Sequence, residues 1–516
     1  MSRTLTPTRT ELMNVVIRAD VGPTVGMGHV MRMMALGEAS YKLGASVTML
    51  CGEIPGRLIQ RLISSGIDVQ QLGNTGCDAA DAQETLEFAS RNNADWIVLD
   101  GYGFDDTYQQ AMTKADAILM MMDDGELANP DIVDVVLNQN VYAASERNDP
   151  AFLGGCDYTL LRTEFLAESA SEQKTIRQFA KRILVTLGGC DDANWTSRVL
   201  NSLSFGGADK LVVDVVVGPG YRHLDSLLEL KRELPFTVRI HRNVDRMVDV
   251  MQRVDFAITA GGSTCYELAR CGVPALAIPV AANQVPIVEA LDELGTLSAF
   301  DPQQCDDKQL SKSIRALLRD PETRNRMSKA GRKLVDGKGA FRIARRMANW
   351  GLSFRDASSD DAGQLLAWRN DPEVRSVSFD QSVMSSDTFQ LWLDRKLADR
   401  NSRFWIATNR NGQPIGEVHL DFGNPQQAVI ELTLDHTRRG KGLGRTVIEM
   451  ACKLAFEENP LMDSVVARIS PGNVASERAF RSVGFVQTQP TMINKKLAFQ
   501  FILWRDADRL QRRSVA

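Results

Sequence analysis

From Asn14 onward, short apolar runs alternate with helical segments, and this alternation constrains the fold more than any other feature of the chain. Runs at 15–19, 46–51, 95–99, 117–121 and 133–137 are too continuous in apolar residues for half-exposed strands. They read as parallel strands buried on both faces, with crossover helices between them. A polar stretch at 164–181 (Glu168, Ser169, Ser171, Glu172, Gln173) lacks an apolar stripe, and the alternation then restarts at 182–187, 211–217, 236–240, 255–259 and 275–278. The pattern predicts an α/β chain with two Rossmann-like units joined by a linker, facing each other across a cleft.

With 516 residues the chain is too long for one hydrophobic core, and about three domains are expected. Helical, Lys- and Arg-rich patterns run over 306–350, and a new start at Leu352-Ser353-Phe354-Arg355 leaves enough chain for one α+β domain. The expected boundaries are 14–170, 171–350 and 351–516.

The net charge of -5 argues against a nucleic-acid-binding protein. Eight scattered cysteines, with no CxxC pair and no accompanying His spacing, read as reduced thiols rather than a metal site, so no metal is expected. The most apolar stretches, 117–122 and 273–282, are short or broken by Pro; with no visible signal peptide, the reading is a cytoplasmic protein without a membrane span. The first dozen residues are polar and expected to fray. The oligomeric state is not legible.

Near the C-terminus, 428–434 reads as a strand and 446–457 as a helix, so Arg438-Arg439-Gly440-Lys441-Gly442-Leu443-Gly444 lies at a strand-to-helix junction. Backbone N–H groups and the positive end of a helix dipole can bind a pyrophosphate there, and glycine lets the backbone approach it closely. Arg439, Gly442 and Gly444 match (Q/R)xxGx(G/A). After a further strand at 465–469, Asn473, Ser476, Phe480, Gly484 and Phe485 reproduce N-x-x-S-x-x-x-F-x-x-x-G-F. Both motifs resemble the GNAT acetyltransferases, over about 353–505. The resemblance implies acetyl-CoA as co-substrate, held by Leu434, Arg439, Gly440, Lys441, Gly442, Leu443, Gly444, Asn473, Ser476 and Phe480. Many members carry a Tyr proton donor at the place of Phe480, which has no proton to give. The attacking amine must be neutral, so a carboxylate base is expected, with Glu431 as first candidate and Glu417 as second; His419 is a third.

At the other end, Arg18-Ala19-Asp20 follows the first strand, and Gly26-Met27-Gly28-His29-Val30-Met31-Arg32 opens a helix. The glycines permit a tight turn beside a ligand, and His29 can act as acid or base near neutral pH. A lone His is also a common packing residue; the glycines and Arg32 one turn later favour chemistry. G-x-G-H-x-x-R, with Asp100-Gly101-Tyr102-Gly103 after the third run, resembles the nucleotide-sugar hydrolases of pseudaminic acid biosynthesis, although Gly101 stands where that family has His. The resemblance implies His29 as the catalytic His, Tyr102 in the active site, and Asp20, Gly28 and Arg32 at the sugar nucleotide.

In the second unit, Leu187-Gly188-Gly189-Cys190-Asp191 precedes a helix expected from about Ala193, and Gly261-Gly262-Ser263-Thr264 leads to Glu267 one turn on. The latter resembles the nucleotide signature of MurG-like GT-B enzymes. Gly188, Gly189, Gly261, Gly262, Ser263 and Thr264 would hold the diphosphate and Glu267 the ribose. Pro279 to Gln284 is similar to the hydrolases' P-x-x-x-x-N-Q, which places Asn283 at the sugar or attacking water and Gln284 beside the nucleotide.

The two resemblances together imply a GT-B hydrolase fused to a GNAT domain, acetylating a UDP-4-amino sugar and then removing UDP from the product. A GT-B glycosyltransferase, the same chemistry on a legionaminic-type or spore-coat sugar, and a sugar-nucleotide sensor stay open as alternatives.

Overall fold

The computed structural model describes residues 13–21, 27–143, 151–166, 175–204, 208–303, 305–409, 412–440 and 443–505. The first dozen residues, Gly26, much of the polar linker, and Lys441 and Gly442 lie outside the described residues. The chain forms two compact units, one ending at Ala344 and the other running on from Arg345.

The first unit holds two sheets. Strands β1 (Asn14–Ala19), β2 (Ser46–Cys51), β3 (Asp68–Gln71), β4 (Trp96–Asp100), β5 (Ile118–Met122), β6 (Val135–Asn138) and β7 (Phe152–Gly154) pair in the order β3-β2-β1-β4-β5-β6-β7, every pair parallel. Strands β8 (Arg182–Thr186), β9 (Val212–Val217), β10 (Thr237–Arg242), β11 (Phe256–Ala260), β12 (Ala275–Ile278) and β13 (Ser298–Ala299) form the second, also parallel, in the order β10-β9-β8-β11-β12-β13.

The apolar runs behave as their composition requires: β4, β5, β11 and β12 are buried at every position, because helices cover both faces. Three strands escape the sequence pattern, and each is short. β3 reads Asp-Val-Gln-Gln and lies at a sheet edge, where exposure removes the demand for apolar residues. β7 and β13, also edge strands, have three and two residues. Helices Asp307–Arg319, Pro321–Leu334 and Gly339–Ala348 occupy the predicted Lys- and Arg-rich region.

The second unit is an eight-stranded sheet: β14 (Ser353–Asp356), β15 (Ser402–Thr408), β16 (Pro414–Asn424), β17 (Gln427–Leu434), β18 (Ser464–Ile469), β19 (Val486–Gln487), β20 (Thr491–Ile493) and β21 (Lys496–Trp504). Its pairs are antiparallel except β17 with β18. Alternation along β15 and β16 divides the core. Trp405, Ala407, Val418 and Leu420 pack in one cluster with helix Leu443–Glu458, while Phe404 and Ile406 pack with Leu365, Trp368, Phe389 and Leu393 on the other face.

Candidate active sites

Each sheet of the first unit reverses its strand order once, between β1 and β4 and between β8 and β11. Past the carboxyl ends of the strands at such a reversal, crossover helices depart to opposite faces and leave a crevice for a ligand. The predicted residues cluster at these two places.

At the first, β1 leads towards helix Gly28–Lys42 and β4 ends on Asp100. His29 Nδ1 lies 2.6 Å from Asp100 Oδ1. Burial opposes the charge on Asp100, but Arg32, bonded to its two oxygens at 2.7 and 2.5 Å, and His29 hold it well below the usual carboxylate range. An ionised carboxylate only accepts, so the shared hydrogen resides on Nδ1 and Nε2 is left for a substrate. Arg32 is itself fixed from the far side by Asp124 at 2.7 Å.

The Tyr102 ring stands edge-on to the His29 ring, with centroids 5.0 Å apart, and its hydroxyl accepts from Asn283 Nδ2 at 3.0 Å. Tyr102 remains 48% exposed, enough to meet a ligand. His29, Tyr102 and Asn283 are thus one cluster, although they come from both sheets' connections. Asp100 and Asp124 complete it and were not singled out as site residues from sequence; a carboxylate ending a buried strand was the signal for Asp100.

Asp20 is placed differently. Its carboxylate bonds Arg18 at 2.7 Å and accepts from the Gly52 amide at 2.8 Å. Asp20, Cys77 and Asp81 bring ligand-type atoms within 4.8 Å of one another. The buried Arg18 guanidinium already binds both carboxylates, so this grouping is an internal ion pair network.

At the second reversal the two glycine motifs differ. After β8, Gly188 takes φ +93°, and Asp191 and Asn194 are also left-handed, which delays the helix from Ala193 to Trp195. Asp191 then accepts from the amides of Trp195 and Thr196, both at 2.8 Å, so a carboxylate of the chain itself occupies that helix start. After β11, helix Thr264–Cys271 has no side-chain cap and no acidic residue ahead of Glu267. A Cβ on Gly262 would meet nothing within 4 Å, whereas one on Gly261 would lie 2.5 Å from Val288 Cγ2. Among the described residues, no side chain caps the amides around Gly262, Ser263 and Thr264, which suits this helix start, rather than the first, to an anion.

Gln284 braces this loop: its Oε1 accepts from the amides of Gly261 and Val280, both at 3.0 Å. Glu267 is buried and paired with Arg162 at 2.9 Å; burial raises its carboxyl even against that partner.

In the second unit, β17 pairs with β18 only from Gln427 to Ile430, and the strands then part, leaving Glu431 to Leu434 without a β18 partner. Among the described residues, no strand pairs with this edge of β17 in the stretch immediately before the glycine-rich loop. Arg439 donates to the Leu434 carbonyl at 3.0 Å and pairs with Asp371 at 3.0 Å and Glu373 at 2.9 Å, tying the loop to helix Pro372–Ser376. Gly440 takes φ +75°. Leu443 is buried and opens helix Leu443–Glu458, which starts earlier than the predicted 446. A Cβ on Gly444 would meet Ala479 and Leu434 at an ordinary 3.7 Å, so protein atoms alone do not exclude one.

Asn473 caps helix Val474–Val483 by accepting from the Ser476 amide at 3.1 Å, and Gly484 ends it at φ +105°. The Phe480 ring is buried against Phe485, centroids 5.0 Å apart. All seven tyrosines of the chain lie at or before Tyr266, so the second unit contains no phenol at all.

Glu417 and His419 on β16 and Glu431 and Thr433 on β17 occupy one face, in register as Glu417 opposite Thr433 and His419 opposite Glu431. Glu431 is exposed. Glu417 is partly buried; that burial and the neighbouring Glu431 push its carboxyl up to about 7, with Thr433 and Arg369 working the other way. Burial and Lys396 push His419 down to about 4.

Residues 352–486 match the model of the acetyltransferase (GNAT) domain, and 183–340 that of the glycosyltransferase family 28 C-terminal domain. An uncharacterised protein of Methanocaldococcus jannaschii is 24% identical, covering 92% of this chain and 97% of its own length. The spore coat polysaccharide biosynthesis protein SpsG of Bacillus subtilis is 26% identical over 64% of this chain and 96% of its own. The UDP-2,4-diacetamido-2,4,6-trideoxy-beta-L-altropyranose hydrolase of Campylobacter jejuni is 22% identical over 37% of this chain and 66% of its own. The chain therefore joins an N-terminal, MurG-like GT-B unit to a C-terminal GNAT acetyltransferase domain.

Proposed function

We propose that this chain is a cytoplasmic bifunctional enzyme of nucleotide-sugar metabolism. Its C-terminal domain transfers the acetyl group of acetyl-CoA to the amino group of a UDP-amino sugar, and its GT-B unit releases UDP from the acetylated product by hydrolysis. The specific reading is the pseudaminic acid route: N-acetylation of UDP-4-amino-4,6-dideoxy-N-acetyl-β-L-altrosamine, then hydrolysis of UDP-2,4-diacetamido-2,4,6-trideoxy-β-L-altropyranose.

The observation that carries the hydrolytic half is the Asp100–His29 pair at the β1/β4 reversal, adjoined by Tyr102 and Asn283. His29 Nε2 takes a proton from water as that water attacks the anomeric carbon, and Asp100 stabilises the imidazolium that forms. UDP leaves with its charge met by the amides of Gly262, Ser263 and Thr264. The Campylobacter relative supports the substrate class, and the GNAT model supports acetyl-CoA.

A glycosyltransferase is the second reading, favoured by the family 28 domain model. Incubating the protein with the UDP-diacetamido sugar and no acceptor separates the two: free sugar and UDP appear together for the hydrolase. His29→Ala is expected to lower that release at least 100-fold while UDP still binds, and release unchanged in this variant contradicts the mechanism.

A further inference from the structure

Acetyl transfer to an amine needs two proton movements, one off the nitrogen and one onto the departing sulfur, and the second unit lacks the phenol that could supply the latter. The remaining side chains narrow the choice. Phe480 packs in the core, and Cys452, the one cysteine of this unit, is buried. His419 is buried, with its Nε2 lacking a hydrogen-bond partner among the described residues. On the same face, Glu417 stands across from Thr433 in the stretch of β17 that has parted from β18.

We propose that Glu417 is the single acid–base residue of the acetyltransferase half, removing the proton from the attacking amine and returning it to the sulfur of coenzyme A. This rests on the acetyltransferase reading above. The substrate ammonium first loses one proton to water. The neutral nitrogen then forms its bond to the thioester carbonyl carbon and the carbon–sulfur bond breaks. The second N–H proton passes to the Glu417 carboxylate and from there to the thiolate, giving amide, free thiol and one proton released to solvent.

Among the described residues, the charged groups acting on Glu417 are Glu431 on β17, which disfavours its ionised form, and Arg369 on helix Ala362–Asn370, which favours it. A carboxyl held near 7 is balanced between taking and giving a proton at neutral pH, as a one-residue shuttle requires.

The test measures CoA release from acetyl-CoA and the UDP-amino sugar by the full chain across pH 5 to 9. Glu417→Gln is expected to lower kcat at least 100-fold with KM for acetyl-CoA within threefold, which also shows the domain folded. Glu431→Gln removes the neighbouring negative charge, so the acid limb of the kcat profile moves to lower pH and does not vanish. A carboxyl 13C titration of the unliganded protein, selectively labelled at glutamate, should show one signal with its midpoint near neutrality that Glu417→Gln deletes. Wild type releasing CoA while Glu417→Gln stays within threefold of it overturns the shuttle alone. A wild type that releases no CoA with amino-sugar nucleotides overturns the acetyltransferase reading and the shuttle with it.

Discussion

Replacing Glu417 by Gln makes the acetyltransferase unit more stable at pH 8 than wild type and leaves it nearly unchanged at pH 4.5. The folded unit raises this carboxyl from an ordinary 4.5 to about 7. A raised folded value means the contribution is fully present below the unfolded value and is lost as pH rises through the folded one. Between pH 4.5 and 7 wild type therefore gives up stability that the uncharged amide keeps. At about 1.4 kcal/mol per unit the ceiling is about 3.5 kcal/mol, on the order of 7–14 °C for a domain of this size. The assay is differential scanning calorimetry of the full chain, following the transition that added CoA raises, because several cooperative units preclude a single global value. Parallel pH dependence of that transition in wild type and variant would mean that folding does not raise the Glu417 carboxyl.

Gly262→Val should abolish UDP binding by calorimetry with little change in melting temperature, since its Cβ would enter open space. Gly261→Val should instead destabilise the unit by about 1–3 kcal/mol, because Val288 and Gln284 crowd that position. Asp100→Asn should cut UDP release about 10³- to 10⁴-fold by disturbing the His29 tautomer, with UDP affinity within threefold. Arg439→Ala should raise KM for acetyl-CoA about tenfold while costing less than about 1 kcal/mol of stability, as its partners Asp371 and Glu373 are partly or wholly solvent-facing.

The sequence was informative where burial dictates composition. Strands such as β4 and β11 announce themselves because both faces are covered, whereas β3 is polar because it is an edge. The glycine motifs located both strand-order reversals, yet could not show that Asp191 fills one helix start and leaves the other open. Pairings between distant segments were beyond reach: Arg162 with Glu267, Arg439 with Asp371, and Tyr102 with Asn283 each join residues that no local pattern relates. Ranking Glu431 above Glu417 followed from proximity to the loop. The proposal for Glu417 draws on burial and cross-strand register, which need the folded sheet.

In the function proposed, one chain both acetylates a UDP-amino sugar and removes UDP from the product. The most direct test follows CoA and UDP together by NMR after mixing the protein with acetyl-CoA and the UDP-4-amino sugar. The expected result is CoA release first, UDP release following and dependent on it, and accumulation of the acetylated UDP-sugar in His29→Ala. UDP released at the same rate without acetyl-CoA, or an acetylated UDP-sugar that wild type leaves intact, would contradict it.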